Sequence, residues 1–257
     1  MDDSSELKPH RESVTMRVTL ATPDGPIRGQ VAVDTGPMHL ADLVPTALEL
    51  TEILVARASR KEALAGRPVS CRAGCGACCR QMVCLSVPEC FYLADFIDTL
   101  PGPARENALQ RFAEIERRLE AEHLLEPLLD PDYDDERALQ IAHKYFFMSM
   151  PCPFLIEESC SIHPQRPVVC REYNVTSPAQ WCADPIQNPI ARVPMPQPLT
   201  TPLARLTAEL TGTRTRLVPL TLVPRWVSEH QELRAQTWPG LDLFKRFLQL
   251  LDELPSN

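Results

Sequence analysis

Residues 71–79 read Cys71-Arg-Ala-Gly-Cys75-Gly-Ala-Cys78-Cys79, so four of the ten cysteines of the chain lie within one short stretch. Cys71 and Cys75 are four residues apart, a spacing that places two side chains on the same side of a helical turn. Cys75 and Cys78 form a C-x-x-C pair, which allows two sulfur atoms to converge on one metal ion. The glycines between the cysteines supply the backbone freedom that such a tight loop requires. The stretch therefore predicts a metal-binding loop.

A second group of cysteines lies between residues 152 and 182. Cys152 precedes Pro-Phe-Leu, and a later run reads Cys160-Ser-Ile-His163-Pro-Gln-Arg166-Pro-Val-Val-Cys170-Arg171. Prolines on both sides of Cys152, a polar turn over residues 157–159 and a helix that opens at Pro167 are expected to bring these thiols together. Coordination by sulfur alone, or nearly alone, is typical of zinc and of iron–sulfur centres.

The cysteine pattern allows two interpretations besides a metal centre. Disulfide bonds are disfavoured because the sequence shows no export signal, and clustered cysteines of cytosolic proteins more often bind metals. Buried free cysteines are disfavoured because core cysteines have no reason to recur at this spacing among glycines. A metal centre is favoured, and its candidate ligands are Cys71, Cys75, Cys78, Cys79, Cys152, Cys160, Cys170 and Cys182.

Three cysteines and one histidine need separate interpretation. Cys84 and Cys90 lie outside the tight spacing, and Cys90 shares a predicted helix face with apolar residues, which favours a core position. For Cys182, the sequence favours a role as a metal ligand and a position in the core equally. His163 follows Cys160 closely and is a candidate nitrogen ligand, although a turn histidine bonded to the backbone is the favoured interpretation.

Four arginines flank the cysteines closely: Arg72, Arg80, Arg166 and Arg171. Several thiolates around one or two metal ions leave a net negative charge. Guanidinium groups can offset that charge and donate hydrogen bonds to sulfur. The alternative for each arginine is a solvated position on the surface.

The composition limits the class of protein. The chain has 257 residues, a formal net charge of −8 and 44% hydrophobic residues, which is typical of a soluble globular protein. The acidic charge disfavours nucleic acid and anionic lipid as partners, and no apolar run is long enough for a membrane-spanning helix. The first residues are acidic and polar and have no features of a secretory signal. We therefore expect a cytoplasmic protein without a nucleic-acid or membrane partner.

Hydrophobic periodicity predicts a mainly α fold, in which helices wrap an irregular cysteine-rich metal-binding core and a small β-hairpin lies near the N-terminus. Alternating apolar residues over 14–34, with Asp24-Gly25 in the connection, indicate the hairpin. The expected helices span residues 39–64, 87–99, 104–126, 133–148, 204–210, 227–236 and 241–251, and two short helices open at Pro167 and Pro178. The proline-rich residues 183–200 indicate an extended arm.

The chain divides by composition into three parts, which we expect to pack as one globular unit. Residues 1–66 contain a polar tail over residues 1–12, the hairpin and the first helix. Residues 67–185 form a cysteine-cluster metal-binding domain. Residues 186–257 contain the proline-rich arm and the C-terminal helices. Within the middle part, a Ser86-x-x-Glu89 capping box predicts the start of the helix that follows the first cysteine group.

The two cysteine runs, taken in order, resemble the YkgJ-type cysteine-cluster family, which is described as a zinc- or iron-chelating domain. The resemblance covers about residues 70–185 and includes the Arg-Glu-Tyr-Asn run that begins at Arg171. It implies seven cysteine ligands: Cys71, Cys75, Cys78, Cys79, Cys152, Cys160 and Cys170. Cys84 and Cys90 depart from the family pattern and inherit no role. A related cluster occurs in flagellin lysine N-methylases, but this chain lacks their longer surrounding sequence, so their activity does not carry over.

We therefore expect a metal-binding protein that holds an iron–sulfur cluster, with [4Fe–4S] favoured, or zinc. Two arrangements stay open: one [4Fe–4S] centre with reserve thiols nearby, or two sites that share Cys182 or His163 as an eighth ligand. One alternative is an iron–sulfur enzyme that modifies a protein or peptide client, methylase-like by analogy. The other is a structural zinc module that acts as an adaptor.

Overall fold

The structure, a computed structural model, describes residues 12–253 apart from residues 131 and 133. Residues 1–11, nearly all of the predicted polar tail, lie outside the described residues. The described chain is mainly α, as predicted. Its helices are α1 (Val44–Leu64), α2 (Val87–Thr99), α3 (Gly102–Ala121), α4 (Leu125–Leu129), α5 (Asp135–Phe147), α6 (Val168–Glu172), α7 (Thr200–Thr211), α8 (Val223–Glu229), α9 (Gln231–Ala235) and α10 (Gly240–Asp252).

The described residues also form eight strands, which associate in four pairs. They are β1 (Ser13–Leu20), β2 (Ile27–Asp34), β3 (Pro37–Met38), β4 (Cys84–Ser86), β5 (Leu155–Ile156), β6 (Ser159–Cys160), β7 (Leu217–Pro219) and β8 (Trp238–Pro239). Each pair forms its own two-stranded sheet: β1 with β2, β3 with β8, β4 with β7, and β5 with β6. Single turns of 3₁₀ helix lie at Leu40–Leu43, Ala77–Arg80, His163–Gln165, Ala179–Ala183 and Leu220–Leu222.

The predicted N-terminal hairpin is confirmed. β1 and β2 pair antiparallel over their full length, with Ser13 opposite Asp34 and Leu20 opposite Ile27. Gly25 adopts a φ of 95° in the connection, a left-handed conformation that favours glycine. The inward side chains of Leu20 and Val33 are buried in the hydrophobic core, which fixes the hairpin against the helices.

One hydrophobic core takes side chains from all three predicted parts of the chain. Leu54, Phe91, Phe154, Leu203 and Phe247 are each at most 2% exposed and belong to the same cluster. A smaller cluster forms where α5 packs on α3 and α4. The predicted boundaries at residues 66 and 185 stay a prediction, since a shared core does not test them.

Two of the predicted helices are interrupted. The helix expected over residues 104–126 ends at Ala121, because His123 adopts a left-handed φ of 55° and the chain turns to bury Leu124 and Leu125. The helix expected over residues 227–236 is divided between α8 and α9. There the ring of His230 stacks on Trp226 at 3.9 Å, and its Nδ1 atom lies 2.7 Å from the carbonyl oxygen of Trp226.

Buried Glu89 links two helices through its carboxylate. The predicted capping box is present, with the Ser86 backbone N–H donating to Glu89 Oε2 at 3.0 Å and the Ser86 hydroxyl donating to the same oxygen at 2.6 Å. Oε1 accepts a hydrogen bond of 2.9 Å from the N–H of Val168, the first residue of α6. Burial raises the pKa of Glu89. One side chain thus holds the start of α2 against the start of the helix that carries Cys170.

Among the helices that the structure describes, none has both the length and the apolar character needed to cross a bilayer.

Replacing Glu89 tests this link. In Glu89→Ala, two buried backbone N–H groups lose their acceptor, and each unpaired group costs free energy. We expect the free energy of unfolding to fall by about 2–4 kcal/mol, measured by urea denaturation. Glu120→Ala, at an exposed position of α3, is the control and should change it by less than about 0.5 kcal/mol. Equal stability of the two variants would contradict the role of Glu89.

Candidate metal centre

All eight candidate cysteines line one cavity of about 280 Å³. Four of them come from the loop over residues 71–79 and four from residues 152–182. The cavity is far larger than the roughly 10–15 Å³ that a single water requires. Apolar side chains also line it, among them Val83, Phe154 and Leu220. Two distant parts of the chain thus present thiols to one space.

The first cysteine loop fits closely against the second segment. Its C-terminal half is the 3₁₀ turn Ala77–Arg80, and Gly74 adopts a left-handed φ of 81°. A Cβ atom on Gly76 would lie 2.5 Å from Leu155 Cδ1 and 2.8 Å from the carbonyl oxygen of Glu158. Glycine at position 76 is therefore a steric requirement of the contact between the two segments.

Three of the four thiols of the second segment come from three separate elements, and Cys152 lies in the loop before β5. β5 and β6 form a hairpin that places Cys160 opposite Leu155, and its two turn residues, Glu157 and Glu158, have φ values of 48° and 59°. α6 carries Cys170, and the 3₁₀ turn Ala179–Ala183 carries Cys182. The short helices predicted at Pro167 and Pro178 are thus present, the second as a 3₁₀ turn.

Hydrogen bonds join the two segments directly. The N–H of Cys152 donates to the carbonyl oxygen of Cys79 at 2.7 Å, and the side-chain amide of Gln81 donates to the carbonyl oxygen of Cys182 at 2.8 Å. The N–H of Val175 donates to the sulfur of Cys71 at 3.4 Å. Behind the cavity, β4 pairs with β7, and the N–H of Leu220 donates to the carbonyl oxygen of Val83 at 2.7 Å. The walls of the cavity are therefore fixed by the fold.

Several of the cavity thiols are held in an environment that opposes their ionisation. Burial raises the pKa of Cys152 to about 12 and also raises that of Cys160 and of Cys170. The backbone N–H groups of Phe154 and Ile162 oppose this shift at Cys152 and Cys160 respectively. Because metals bind the thiolate, binding here must release protons and depends on pH.

The four flanking arginines have different positions. Arg72 and Arg166 line the cavity. The charge of Arg166 lowers the pKa of Cys71, Cys78 and Cys160, against the larger effects of burial and, at Cys78, of a hydrogen bond to Cys79. The Nε atom of Arg166 is buried and has no hydrogen-bond partner among the described residues. The residue that carries this donor lines a cavity whose candidate acceptors are sulfur atoms.

Arg80 and Arg171 are engaged outside the cavity. Arg80 forms a two-pronged ion pair with Glu158 at 3.0 and 2.5 Å on the surface. Arg171 is buried, pairs with Glu52 of α1 and donates to the carbonyl oxygens of Pro164 and Arg166. These two arginines hold the loops in place, a role that the sequence analysis did not anticipate.

Cys84 and Cys90 do not line the cavity. Cys90 is fully buried in the core, as expected, and burial raises the pKa of Cys84 in β4 to about 11. His163 lines the cavity but is exposed, and burial together with Arg166 and Arg171 lowers its pKa.

All ten cysteines are free thiols. Within the described part of the chain, no three His, Cys, Asp or Glu side chains already stand at metal-binding geometry.

The sequence analysis missed two polar residues of the cavity. Tyr173 and Asn174 line it, and the guanidinium of Arg192 lies 5.1 Å from the centre of the Tyr173 ring. Burial raises the pKa of Cys182, and the neighbouring Tyr173 hydroxyl opposes that shift. Both residues belong to the Arg-Glu-Tyr-Asn run after Cys170, which was the available signal.

Comparison with known families agrees with this site. Residues 70–185 match the family model described as "CxxCxxCC: Putative zinc- or iron-chelating domain", which confirms the resemblance drawn from the sequence. This part of the chain, which is less than half of its length, is thus similar to domains described as chelating zinc or iron. No curated protein and no solved structure matches the chain.

Gly76→Ala tests the contact between the two cysteine segments. The added methyl group would overlap the backbone of Glu158, so either the loop or the hairpin must shift. We expect a loss of about 1–3 kcal/mol in the free energy of unfolding and a lower metal content after purification. Gly29→Ala in β2 is the control, because nothing lies within 4 Å of its added Cβ, and it should change stability by less than about 1 kcal/mol. Full stability and metal content in Gly76→Ala would contradict the steric argument.

Proposed function

We propose that this protein holds a [4Fe–4S] cluster through its two cysteine segments. The observation that carries the proposal is the convergence of eight thiols on one cavity. A single tetrahedral zinc site takes four ligands, so this donor set exceeds what one zinc ion needs. Dense thiolate loops are typical of iron–sulfur centres, whose clusters occupy more space than one ion.

The surroundings of the thiols fit such a cluster. A cluster with thiolate ligands carries net negative charge and accepts hydrogen bonds at sulfur. Arg166 offers a positive charge and a buried N–H without a partner among the described residues. Val83, Phe154 and Leu220 form an apolar wall, which strengthens these electrostatic interactions. When bound, a cluster of this type supplies one-electron redox chemistry or, with one iron open, a binding position for a substrate.

A structural zinc adaptor is the simplest competing function. The colour of the purified protein distinguishes it from a protein that holds a [4Fe–4S] cluster. Protein purified without oxygen should be brown, should bleach with dithionite and should contain about four iron and four sulfide per chain. Colourless protein with stoichiometric zinc and no sulfide would overturn the cluster and favour the adaptor.

An iron–sulfur enzyme that modifies a protein or peptide client is a second candidate. An open groove lies beside the cavity, and Cys75 borders both. Arg72, Arg80 and Gln180 line this groove and offer hydrogen bonds to a polypeptide backbone. Adding S-adenosylmethionine or client peptides should then change the cluster spectrum. An unchanged spectrum across such a panel would count against the enzyme.

We also propose a cytoplasmic location. Ten free thiols, eight of them around one cavity, persist most readily in a reducing compartment. Cell fractionation with a tagged full-length chain tests this, and recovery in an oxidising compartment would contradict it.

Cysteine variants separate ligands from core residues. Cys78→Ala should lose most of the bound metal and unfold more easily, because metal binding contributes to folding free energy. Cys90→Ala should keep full metal content, although the cavity it leaves in the core should cost about 1–2 kcal/mol of stability. Elemental analysis and thermal unfolding check both variants. Loss of metal from Cys90→Ala, or full retention in Cys78→Ala, would overturn the assignment.

Arg166→Gln tests the charge that faces the thiols. Removing a cation beside an anionic cluster disfavours its reduced form, so the reduction potential should become more negative. Arg80→Gln is the matched control, because Arg80 also flanks a candidate ligand but pairs with Glu158 on the surface. Potentials from a dithionite titration should separate the two variants. The same potential in both would show that Arg166 has no special interaction with the cluster.

A further inference from the structure

The walls of the cavity and of the open groove beside it carry positive charge. No Asp or Glu is among the described residues that line the cavity, whereas Arg72 and Arg166 line it. The groove, of about 420 Å³, is lined by Arg72, by Arg80 and by one carboxylate, that of Glu158. Arg80 and Glu158 pair with each other, so together they add no net charge. Because the whole chain has a formal net charge of −8, this surface is locally of the opposite sign.

Two arginines of this surface are accessible to a ligand from solvent. Arg72 and Arg192 are exposed, and neither forms an ion pair with any described residue. Arg72 borders both the cavity and the groove. The guanidinium of Arg192 lies 5.1 Å from the centre of the ring of Tyr173, which lines the cavity. Two exposed cations without a carboxylate partner in the described chain therefore lie at the edge of the cavity.

The backbone holds Arg192 beside the groove. Arg192 pairs with Val175 in an antiparallel bridge, and the N–H of Ser70 donates to the carbonyl oxygen of Val175 at 2.9 Å. Ser70 lines the groove. The N–H of Val175 donates to the sulfur of Cys71, the residue before Arg72. Val175 thus connects the segment that carries Arg192 with the loop that carries Arg72.

We propose that the groove binds a short acidic segment of a partner polypeptide, whose carboxylates pair with Arg72 and Arg192. A guanidinium offers parallel N–H donors that match the two oxygens of a carboxylate. The side chain of Gln180 lines the groove, is exposed and offers an amide to the backbone of the segment. The inference deepens the client-modifying function proposed above and rests on it, because it names the class of client.

The net charge of the chain favours a short segment over a long polyanion. Charges in water are largely screened beyond roughly 8–10 Å at physiological ionic strength. A short segment in the groove therefore interacts mainly with the nearby arginines, whereas a nucleic acid also meets the acidic remainder of the surface. Cys75 borders both the groove and the cavity, so a bound segment lies beside the thiols.

Binding of model peptides to the full-length, metal-loaded protein tests the proposal. The probe is fluorescein-labelled hexaglutamate, with labelled hexaglutamine as its uncharged control, and the readout is fluorescence anisotropy. We expect hexaglutamate to bind with an affinity that falls as the salt concentration rises, and hexaglutamine not to bind.

Arginine variants locate the binding site. Arg72→Gln and Arg192→Gln should each weaken the binding of hexaglutamate by about tenfold, as expected for the loss of a charged hydrogen bond. Arg28→Gln is the matched control, because Arg28 is exposed and lines neither the cavity nor the groove. It removes the same charge and should change the affinity by less than about twofold. Equal affinity in all three variants, or equal affinity for the two peptides, would overturn the proposal.

Competition and metal analysis separate the remaining outcomes. Displacement of the probe by citrate or by a single-stranded oligonucleotide at lower concentrations than by unlabelled hexaglutamate would overturn the peptide. Iron, sulfide and zinc are measured in the same samples. Protein that holds only zinc and binds hexaglutamate through both arginines would overturn the cluster but support the acidic segment. Protein that holds the cluster and does not bind hexaglutamate would overturn the acidic segment alone.

A measurement without substitutions covers the case in which a variant folds poorly. The unmodified protein is treated with phenylglyoxal, which modifies accessible arginines, in the presence and absence of hexaglutamate. The modified residues are identified by mass spectrometry. We expect hexaglutamate to protect Arg72 and Arg192, while Arg28 reacts to the same extent in both samples. Equal modification of Arg72 and Arg192 with and without hexaglutamate would overturn the inference.

Discussion

A hydrogen bond from the N–H of Cys152 to the carbonyl oxygen of Cys79 joins the two cysteine segments. Residues 80–151 separate these segments in the sequence. The helices α2, α3, α4 and α5 lie between them in sequence, so the site closes a long loop. Closing a long loop costs conformational entropy, and a metal ion bound by thiols of both segments would offset that cost in the folded state. Under the proposed function, this topology couples folding to metal binding.

A few buried polar contacts connect the helices around the site and fix the position of Cys170. Glu89 connects the start of α2 with the start of α6, and Arg171 connects α6 with Glu52 of α1. Both side chains act next to Cys170 without lining the cavity. A buried carboxylate costs desolvation free energy, which its three hydrogen bonds offset in part, since burial still raises the pKa of Glu89. The position of one thiol therefore depends on residues from three helices.

Local signals in the sequence predicted the elements that local interactions determine. The Asp24-Gly25 connection, the Ser86–Glu89 box and the clustered cysteines each carry their structural cause within a few residues. The break at His123 could not be predicted in this way, because a left-handed residue other than glycine is stabilised there by burying Leu124 and Leu125 in a tertiary cluster. The pairing of β4 with β7 was missed for the same reason: its partners are far apart in sequence and only three residues long.

The residue type alone also could not predict which of the flanking arginines line the cavity and which are engaged elsewhere. Arg166 and Arg171 both lie beside candidate ligands. A carboxylate from α1 and two backbone carbonyls engage Arg171, whereas Arg166 lines the cavity and its buried Nε atom has no hydrogen-bond partner among the described residues. The charge of Arg166 acts on Cys71 and Cys78 of the first cysteine segment and on Cys160 of the second. A single cation whose charge acts on thiols of both segments lowers the repulsion between their thiolates in a poorly solvated space. Thiolates that share one cavity therefore favour a positive charge beside them, and Arg166 lines that cavity.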